Sequence, residues 1–299
     1  MYHKPVLLSE SVKALLVKDE GIYVDLTFGG GGHSMAILEH LKNGRLYAFD
    51  QDPDAETNAS RFLSKSFQFV KGNFRHFKKY LKMYGVDKVD GILADLGISS
   101  HQIDEPERGF STRFDAKLDM RMDPTLTLTA RKVLSKYSEE ELHRILGMYG
   151  EIRNAKTLAA AIVFERTKKP LNTVNELKEL LEKYAPKRSE FKYYAQVFQA
   201  LRIEVNEELE ALKEMLHTSG DVLNPGGRLV VISYHSLEDR LVKNYINKGR
   251  FHGDVEKDFY GNEIKPLKAV TRKPVIPSDE EIAENNRARS ARMRIAEKI

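Results

Sequence analysis

Four consecutive glycines, Gly29–Gly32, lie a short step after one acid, Asp25, and well before another, Asp50. Glycine admits backbone close to a ligand and adopts positive φ without a Cβ clash. The stretch Asp25-Leu26-Thr27-Phe28-Gly29-Gly30-Gly31-Gly32-His33 falls between a strand-like run and a helical one. Asp50 closes the next apolar run, at a place where a carboxylate can accept hydrogen bonds from ribose hydroxyls. Together these residues describe a nucleoside-containing ligand at the carboxyl edge of a parallel sheet. A tight turn with no ligand remains the plain alternative.

The ligand class can be narrowed further. A dinucleotide loop of the form GxGxxG would have glycine at position 34, where this chain has Ser34, and a phosphate loop would need Gly-Lys-Ser/Thr, which is absent. An acid four residues before a glycine cluster is instead typical of proteins that bind S-adenosylmethionine, which carries no phosphate and needs no lysine. Two further residues fall at the same edge. Phe74 follows the third apolar run, where it packs on an adenine or starts a helix as a core residue. Asp95 ends the fourth run, facing the cleft or merely the surface.

These residues have to be held by strands alternating with helices. Ile22–Phe28, Leu46–Phe49, Phe67–Val70 and Val89–Ala94 read as strands, with helical periodicity through Met35–Leu41, from Pro53 toward Leu63, and through Phe74–Leu81. This spacing implies βαβ units and a parallel sheet. From about Glu105 to Asn206 the pattern turns helical, with helices at Ser138–Met148, Asn154–Arg166, Thr173–Tyr184 and Phe191–Ile203. Ser138 with Glu141, and Thr173 with Glu176, are spaced as capping boxes. The alternation returns with a helix at Glu207–Leu216, a turn at Pro225-Gly226-Gly227, a strand at Arg228–Tyr234 and a helix capped by Ser236 with Asp239. Ala288–Ala296 fits a strand or a helix. The expected organisation is an α/β core, 1–105 and 207–299, split by a helical insertion at 106–206.

Composition excludes several classes. With 299 residues, 41% hydrophobic and no cysteine, the chain can build a real core. It has no means of forming a disulfide framework, a thiolate metal site or a cysteine nucleophile. No run approaches a membrane span, and the opening residues lack the apolar region of a signal peptide, so a cytoplasmic protein is expected. A net charge of +4 permits nucleic acid without requiring it. His235 and Asp239 invite a hydrolase or metal reading, but neither GxSxG nor HExxH occurs and no cluster has ligand spacing. No metal is therefore expected.

The longer motifs are more specific. They are Ala94-Asp95-Leu96-Gly97-Ile98-Ser99-Ser100-His101-Gln102-Ile103-Asp104, Arg108-Gly109-Phe110-Ser111 and Leu118-Asp119-Met120-Arg121-Met122-Asp123. Further on come Arg202-Ile203-Glu204-Val205-Asn206-Glu207-Glu208-Leu209 and Ile232-Ser233-Tyr234-His235-Ser236-Leu237-Glu238-Asp239-Arg240. With His3-Lys4-Pro5-Val6-Leu7-Leu8 at the start and Asn285-Asn286-Arg287-Ala288-Arg289-Ser290-Ala291 near the end, the match is in order throughout. The chain resembles the bacterial 16S rRNA cytosine-N4 methyltransferases, the MraW/RsmH family. It departs from the family's Asn-Pro-Arg in the last motif, where Asn286 replaces proline.

The resemblance implies an α/β, class I S-adenosylmethionine-dependent methyltransferase, Rossmann-like, with an inserted all-helical domain for substrate recognition. It implies methyl transfer to N4 of a cytidine in the decoding region of 16S-type rRNA, leaving S-adenosylhomocysteine. Cofactor contacts carry over to Gly31, Gly32, His33, Asp50, Phe74, Asp95 and Gln102. Asp95 is also the candidate catalytic residue, bridging the cofactor and the target amine. In the fourth-strand motif of many amino-methyltransferases it would be followed by Pro-Pro-aromatic, and here it is followed by Leu96-Gly97-Ile98.

Candidate substrate contacts are Arg108, Phe110, His235, Arg287 and Arg289. For His235, base binding and a plain helix start both stand. Arg287, Arg289, Arg292 and Arg294 form the best phosphate-binding cluster. In the insertion, Lys183, Lys187, Arg188 and Lys192 interleave with Tyr184, Phe191, Tyr193 and Tyr194. Solvated faces look the same. The expected partner is small-subunit rRNA or the assembled small subunit. A noncatalytic rRNA assembly factor with a retained cofactor pocket, and an NAD-dependent oxidoreductase, are the competing functions.

Overall fold

Why the apolar runs become strands follows from their burial. Tyr23, Val24, Leu46–Phe49, Ile92–Ala94 and Leu229–Ile232 are all essentially inaccessible, as continuous runs must be when a parallel sheet is covered on both faces. The computed structural model describes residues 5–299, so His3 and Lys4 of the opening motif lie outside the described residues. The chain forms two compact units, Met1–Gly97 with Leu209–Ile299, and Ile98–Glu208.

The first unit opens with α1 (Leu8–Leu15), a helix the sequence reading does not anticipate, and continues β1 (Ile22–Asp25), α2 (Gly32–Leu38), β2 (Arg45–Asp50), α3 (Pro53–Ala59), β3 (Phe67–Lys71), a 3-10 turn at Phe74–His76, α4 (Phe77–Met83) and β4 (Val89–Asp95). Strand β1 ends at Asp25, earlier than expected, although Leu26 and Phe28 still donate to the Leu93 and Phe49 carbonyls on the way into the glycine loop. Pro53 sits in the first turn of α3, with Asp52 accepting from the Asp54 N–H as its cap. Gly91 passes beside Tyr23, where a Cβ would come within 2.8 Å of the ring.

The second unit carries α5 (Ser100–Asp104), α6 (Ala130–Lys136), α7 (Glu139–Met148), α8 (Ala155–Lys168), α9 (Val174–Glu182) and α10 (Glu190–Asn206). Ser138 with Glu141 and Thr173 with Glu176 form the capping boxes their spacing suggests. Leu118, Met120, Val133, Leu142, Ile145, Leu158, Ile162, Leu177, Val197 and Leu201 make one apolar core against which Ile98 also packs. That packing, and the capping box of Ser99 with Gln102 on α5, start this unit at Ile98 rather than at the expected 106.

The chain then adds α11 (Glu208–Val222), β5 (Leu223–Ser233), α12 (Ser236–Lys248), β6 (Leu267–Ala269), α13 (Asp279–Glu284) and β7 (Arg292–Lys298) to the first unit. Beside β4, Val89 pairs with Leu223 and Gly91 with Arg228, so the expected Pro225-Gly226-Gly227 turn is an excursion within β5. Gly226 takes φ of 78° there. The ambiguous 288–296 stretch resolves as a 3-10 turn followed by β7, antiparallel to β5. The strand order is β3-β2-β1-β4-β5-β7-β6, parallel from β3 to β5 and antiparallel from there. This is a mostly parallel, Rossmann-like sheet. The order reverses direction at β1 and β4, the switch point where open α/β sheets place their ligands. Among the described residues no helix is long and apolar enough to cross a membrane.

Candidate active site

The carboxyl ends of β1, β2 and β4 are adjacent, and each ends in an acid. Asp25 is fully buried and accepts from the Thr27 N–H at 3.1 Å and the Ser34 hydroxyl at 2.7 Å. Asp50 accepts from the Gly29 N–H at 2.8 Å and the Asp52 N–H at 2.9 Å. Asp95 accepts from the Tyr234 hydroxyl at 2.8 Å, while its own N–H donates to Thr27 Oγ1 at 2.7 Å. Burial raises Asp25 and Asp50 to about 6 and Asp95 to about 7, since removing water disfavours the charged form. Their mutual repulsion adds to the rise at Asp50 and Asp95.

The glycine loop is shaped by these acids and by aromatic rings. Gly29 takes φ of 53° and points its N–H at Asp50. Gly31 caps α2 at φ of 81°, and a Cβ there would lie 2.6 Å from the Phe62 ring and 2.8 Å from Phe28. At Gly32 a Cβ would meet Pro5 at 2.2 Å. The loop is therefore pinned from behind, while a Cβ on Gly29 would meet nothing within 4 Å. Ser34 is fully buried and spends its hydroxyl on Asp25. A dinucleotide fold keeps glycine at that place for close helix–strand packing.

His33 is buried on α2, with Nε2 at 3.2 Å from the Val6 carbonyl and Nδ1 at 3.8 Å from Asp95 Oδ2. A carbonyl only accepts, so the proton belongs on Nε2 and Nδ1 carries a lone pair. Burial pushes the ring down to about 4, which leaves it neutral at physiological pH. Phe74 begins the 3-10 turn half-exposed, and the core position at this helix start is taken by Phe77, which is inaccessible. Asn73 caps the turn and donates to the Gln51 carboxamide oxygen at 2.8 Å.

The other expected contacts divide between the units. Gln102 belongs to the helical unit, where its side-chain oxygen accepts from the Ser99 N–H at 3.0 Å. Arg108 donates to the carbonyls of Arg121 and Met122, and Phe110 is buried in the helical core. The Leu118–Asp123 motif is a loop held by Asn206, which accepts from the Met122 N–H and donates to the Met120 carbonyl, each at 2.7 Å. Met120 itself stands at φ of 62°. Much of what makes these motifs distinctive is thus scaffold.

His235, not Ser236, caps α12. Its box partner is Glu238, whose carboxylate accepts from the Tyr234 N–H at 2.9 Å. The expected Ser236–Asp239 box is one residue out of step. Asp239 instead accepts two hydrogen bonds from Arg294, at 2.6 and 3.0 Å, with Arg292 at 3.6 Å. Arg294 is therefore committed to an intramolecular pair and cannot serve as a phosphate contact, whereas Arg289 and Arg292 stay exposed and Arg287 is half-buried. Asn286 opens a 3-10 turn capped by Asn285. Proline is tolerated in such a first turn because its missing N–H is not used, which explains why asparagine can stand there. In the helical unit, Phe191 is 86% exposed while Tyr193 and Tyr194 are buried, so most of the expected aromatic interleaving is core.

Comparison with known proteins identifies the family of the chain. The chain matches the MraW methylase family over residues 1–299. It is 65% identical over 298 residues to the ribosomal RNA small subunit methyltransferase H of Cytophaga hutchinsonii, covering 100% of both chains. It is 55% identical to the protein of that name from Flavobacterium johnsoniae, over 100% of this chain and 98% of the relative. The Christiangramia forsetii protein of the same name is 54% identical, with 100% and 98% covered. With its sheet order, its glycine loop and its end-to-end match, this chain belongs to the MraW methylase family.

Proposed function

We propose that this chain transfers the methyl group of S-adenosylmethionine to the exocyclic N4 of a cytidine in the decoding region of small-subunit rRNA, in the cytoplasm, with the assembled small subunit as a partner. The chain is an S-adenosylmethionine-dependent rRNA methyltransferase. The observation that carries the cofactor class is the convergence of Asp25, Asp50 and Asp95 around the glycine loop. Three acids, Asp25 buried and Asp50 and Asp95 partly so, favour a ligand with cationic groups and hydroxyls, and they repel a pyrophosphate. Together with Ser34, this speaks against an NAD-dependent oxidoreductase.

Gly31, Gly32, His33, Asp50, Phe74 and Asp95 are the residues of the α/β unit that would hold the cofactor. When bound, it supplies an electrophilic methyl group. The protein's task is alignment, since the cytosine N4 lone pair is delocalised into the ring. Asp95 Oδ2 is open to accept an amine N–H, which favours a pyramidal nitrogen, and it takes the proton as the N–C bond forms. His33, neutral and with its proton committed to Val6, neither competes for that proton nor adds charge. The target base must be unstacked to reach such a site. Arg289 in the last motif and Arg292 just after it, the latter exposed although 3.6 Å from Asp239, are the cations there suited to phosphates.

The test is methyl transfer from labelled cofactor to small subunits, naked rRNA and large subunits. Label on cytidine N4 of small-subunit rRNA is the expected result. Cofactor binding without transfer to any RNA would overturn it in favour of the assembly factor.

A further inference from the structure

The β5 end brings Tyr234 against Asp95. Ile232 pairs with Asp95 across the β4–β5 ladder, and Tyr234 follows as the strand gives way to α12. Its hydroxyl reaches back to Asp95 Oδ1 at 2.8 Å, and its backbone N–H donates to Glu238 at 2.9 Å. Both ends of the residue are therefore fixed. The second Asp95 oxygen faces His33 Nδ1 at 3.8 Å, which is beyond hydrogen-bond reach and presents a lone pair. One oxygen is held, and the other has no donor among the described residues.

We propose that Tyr234 is a positioning residue for methyl transfer: it anchors Asp95 by Oδ1 and so presents Oδ2, ionised, to the target amine. The inference rests on Asp95 being the proton acceptor. The groups facing Asp95 are Tyr234, Asp25, Glu238 and His33. Asp25 and Glu238 disfavour its charge, as burial does, and the Tyr234 hydroxyl bond opposes them. Tyr234 is itself faced by Asp95, Glu238 and Glu281, and burial beside these acids pushes its phenol well above the ordinary value. The phenol therefore remains a donor across the working pH range. His235 touches Glu238, with Nε2 at 3.3 Å from the carboxylate, rather than Asp95. When the amine loses its proton to Oδ2, the Tyr234 hydroxyl keeps its own, so the step needs no further base.

The test is the pH profile of kcat for Tyr234→Phe on small subunits, beside the unchanged protein and Asp95→Asn. Loss of one donor to the carboxylate should move the acid limb upward by about one pH unit. That is roughly a fivefold loss at the midpoint of the original limb, vanishing two units above it. Affinity for S-adenosylhomocysteine should be little changed. In the Asp95→Asn background, Tyr234→Phe should add no further loss. Replacing Tyr234 with 4-aminophenylalanine, which keeps an N–H donor in the same ring, should return most of the shift. If Tyr234→Phe lowers kcat equally at every pH, or adds its full loss on top of Asp95→Asn, Tyr234 is only structural and the proposal fails. If Asp95→Asn keeps normal turnover, the reading of Asp95 fails instead, whatever Tyr234 does.

Discussion

Asp95 carries opposing demands, and its titration makes them measurable. An aspartate near 3.8 unfolded and about 7 folded holds its proton longer in the native state. Its contribution to stability is full below pH 4 and is lost as pH rises through 7. His33 runs the other way: held neutral at about 4, it costs stability as pH falls from its unfolded value toward 4. Asp95→Asn removes only the carboxyl slope. In the ligand-free protein its melting temperature relative to the parent should therefore climb steadily from pH 4 to pH 8. A flat difference would show that Asp95 ionises normally. Asp25, Asp50 and Asp95 are readable in the sequence because each stops an apolar run. Tyr234 is not, since tyrosine after a strand is an ordinary core residue and its partner is 139 positions away.

The pairing of α12 with β7 shows how elements are tied by buried charge. Asp239 and Arg294 are each about nine-tenths buried, at 11% and 12% side-chain exposure, and share two hydrogen bonds. Truncating one partner strands the other in a dry place, at about 3 kcal/mol. Asp239→Ala should lower stability by roughly that amount in a denaturant titration. Arg294→Met combined with Asp239→Leu should recover much of it, and an equal loss in the double variant would mean that the pair's charge is itself required. Strands β1–β4 are legible because their runs are continuous and apolar. Strand β7 is not, because Arg292 and Arg294 alternate with Met293 and Ile295 in a pattern short enough to fit either period. The cap of α12 escapes for a related reason: His235 and Ser236 both precede an acid at the right distance, and composition ranks serine first.

For the molecule as a whole, the net charge of +4 is less informative than where exposed cations remain. Arg294 is spent internally, while Arg289 and Arg292 are exposed. Arg289→Glu with Arg292→Glu should weaken RNA binding and make the logarithmic salt slope shallower by about one to two. Unchanged binding and slope would mark them as ordinary surface. The split of the chain into an α/β unit interrupted by helices is legible as a change of period, and its boundary is not, because the Ser99–Gln102 capping-box spacing marks a helix start without saying which unit that helix joins, and Ile98 looks like any other apolar residue. The place of β7 between β5 and β6 has one more implication, for the order in which the protein is made. Strand β5 pairs on one side with β4, already synthesised, and on the other with a segment some sixty residues downstream. At about 5–20 residues per second, translation leaves that apolar edge bare for several seconds. A growing chain thus carries an open strand, Leu229–Ile232, that invites pairing with a neighbouring nascent chain. Its need for a holding chaperone should end only when Met293 and Ile295 arrive to close the ladder.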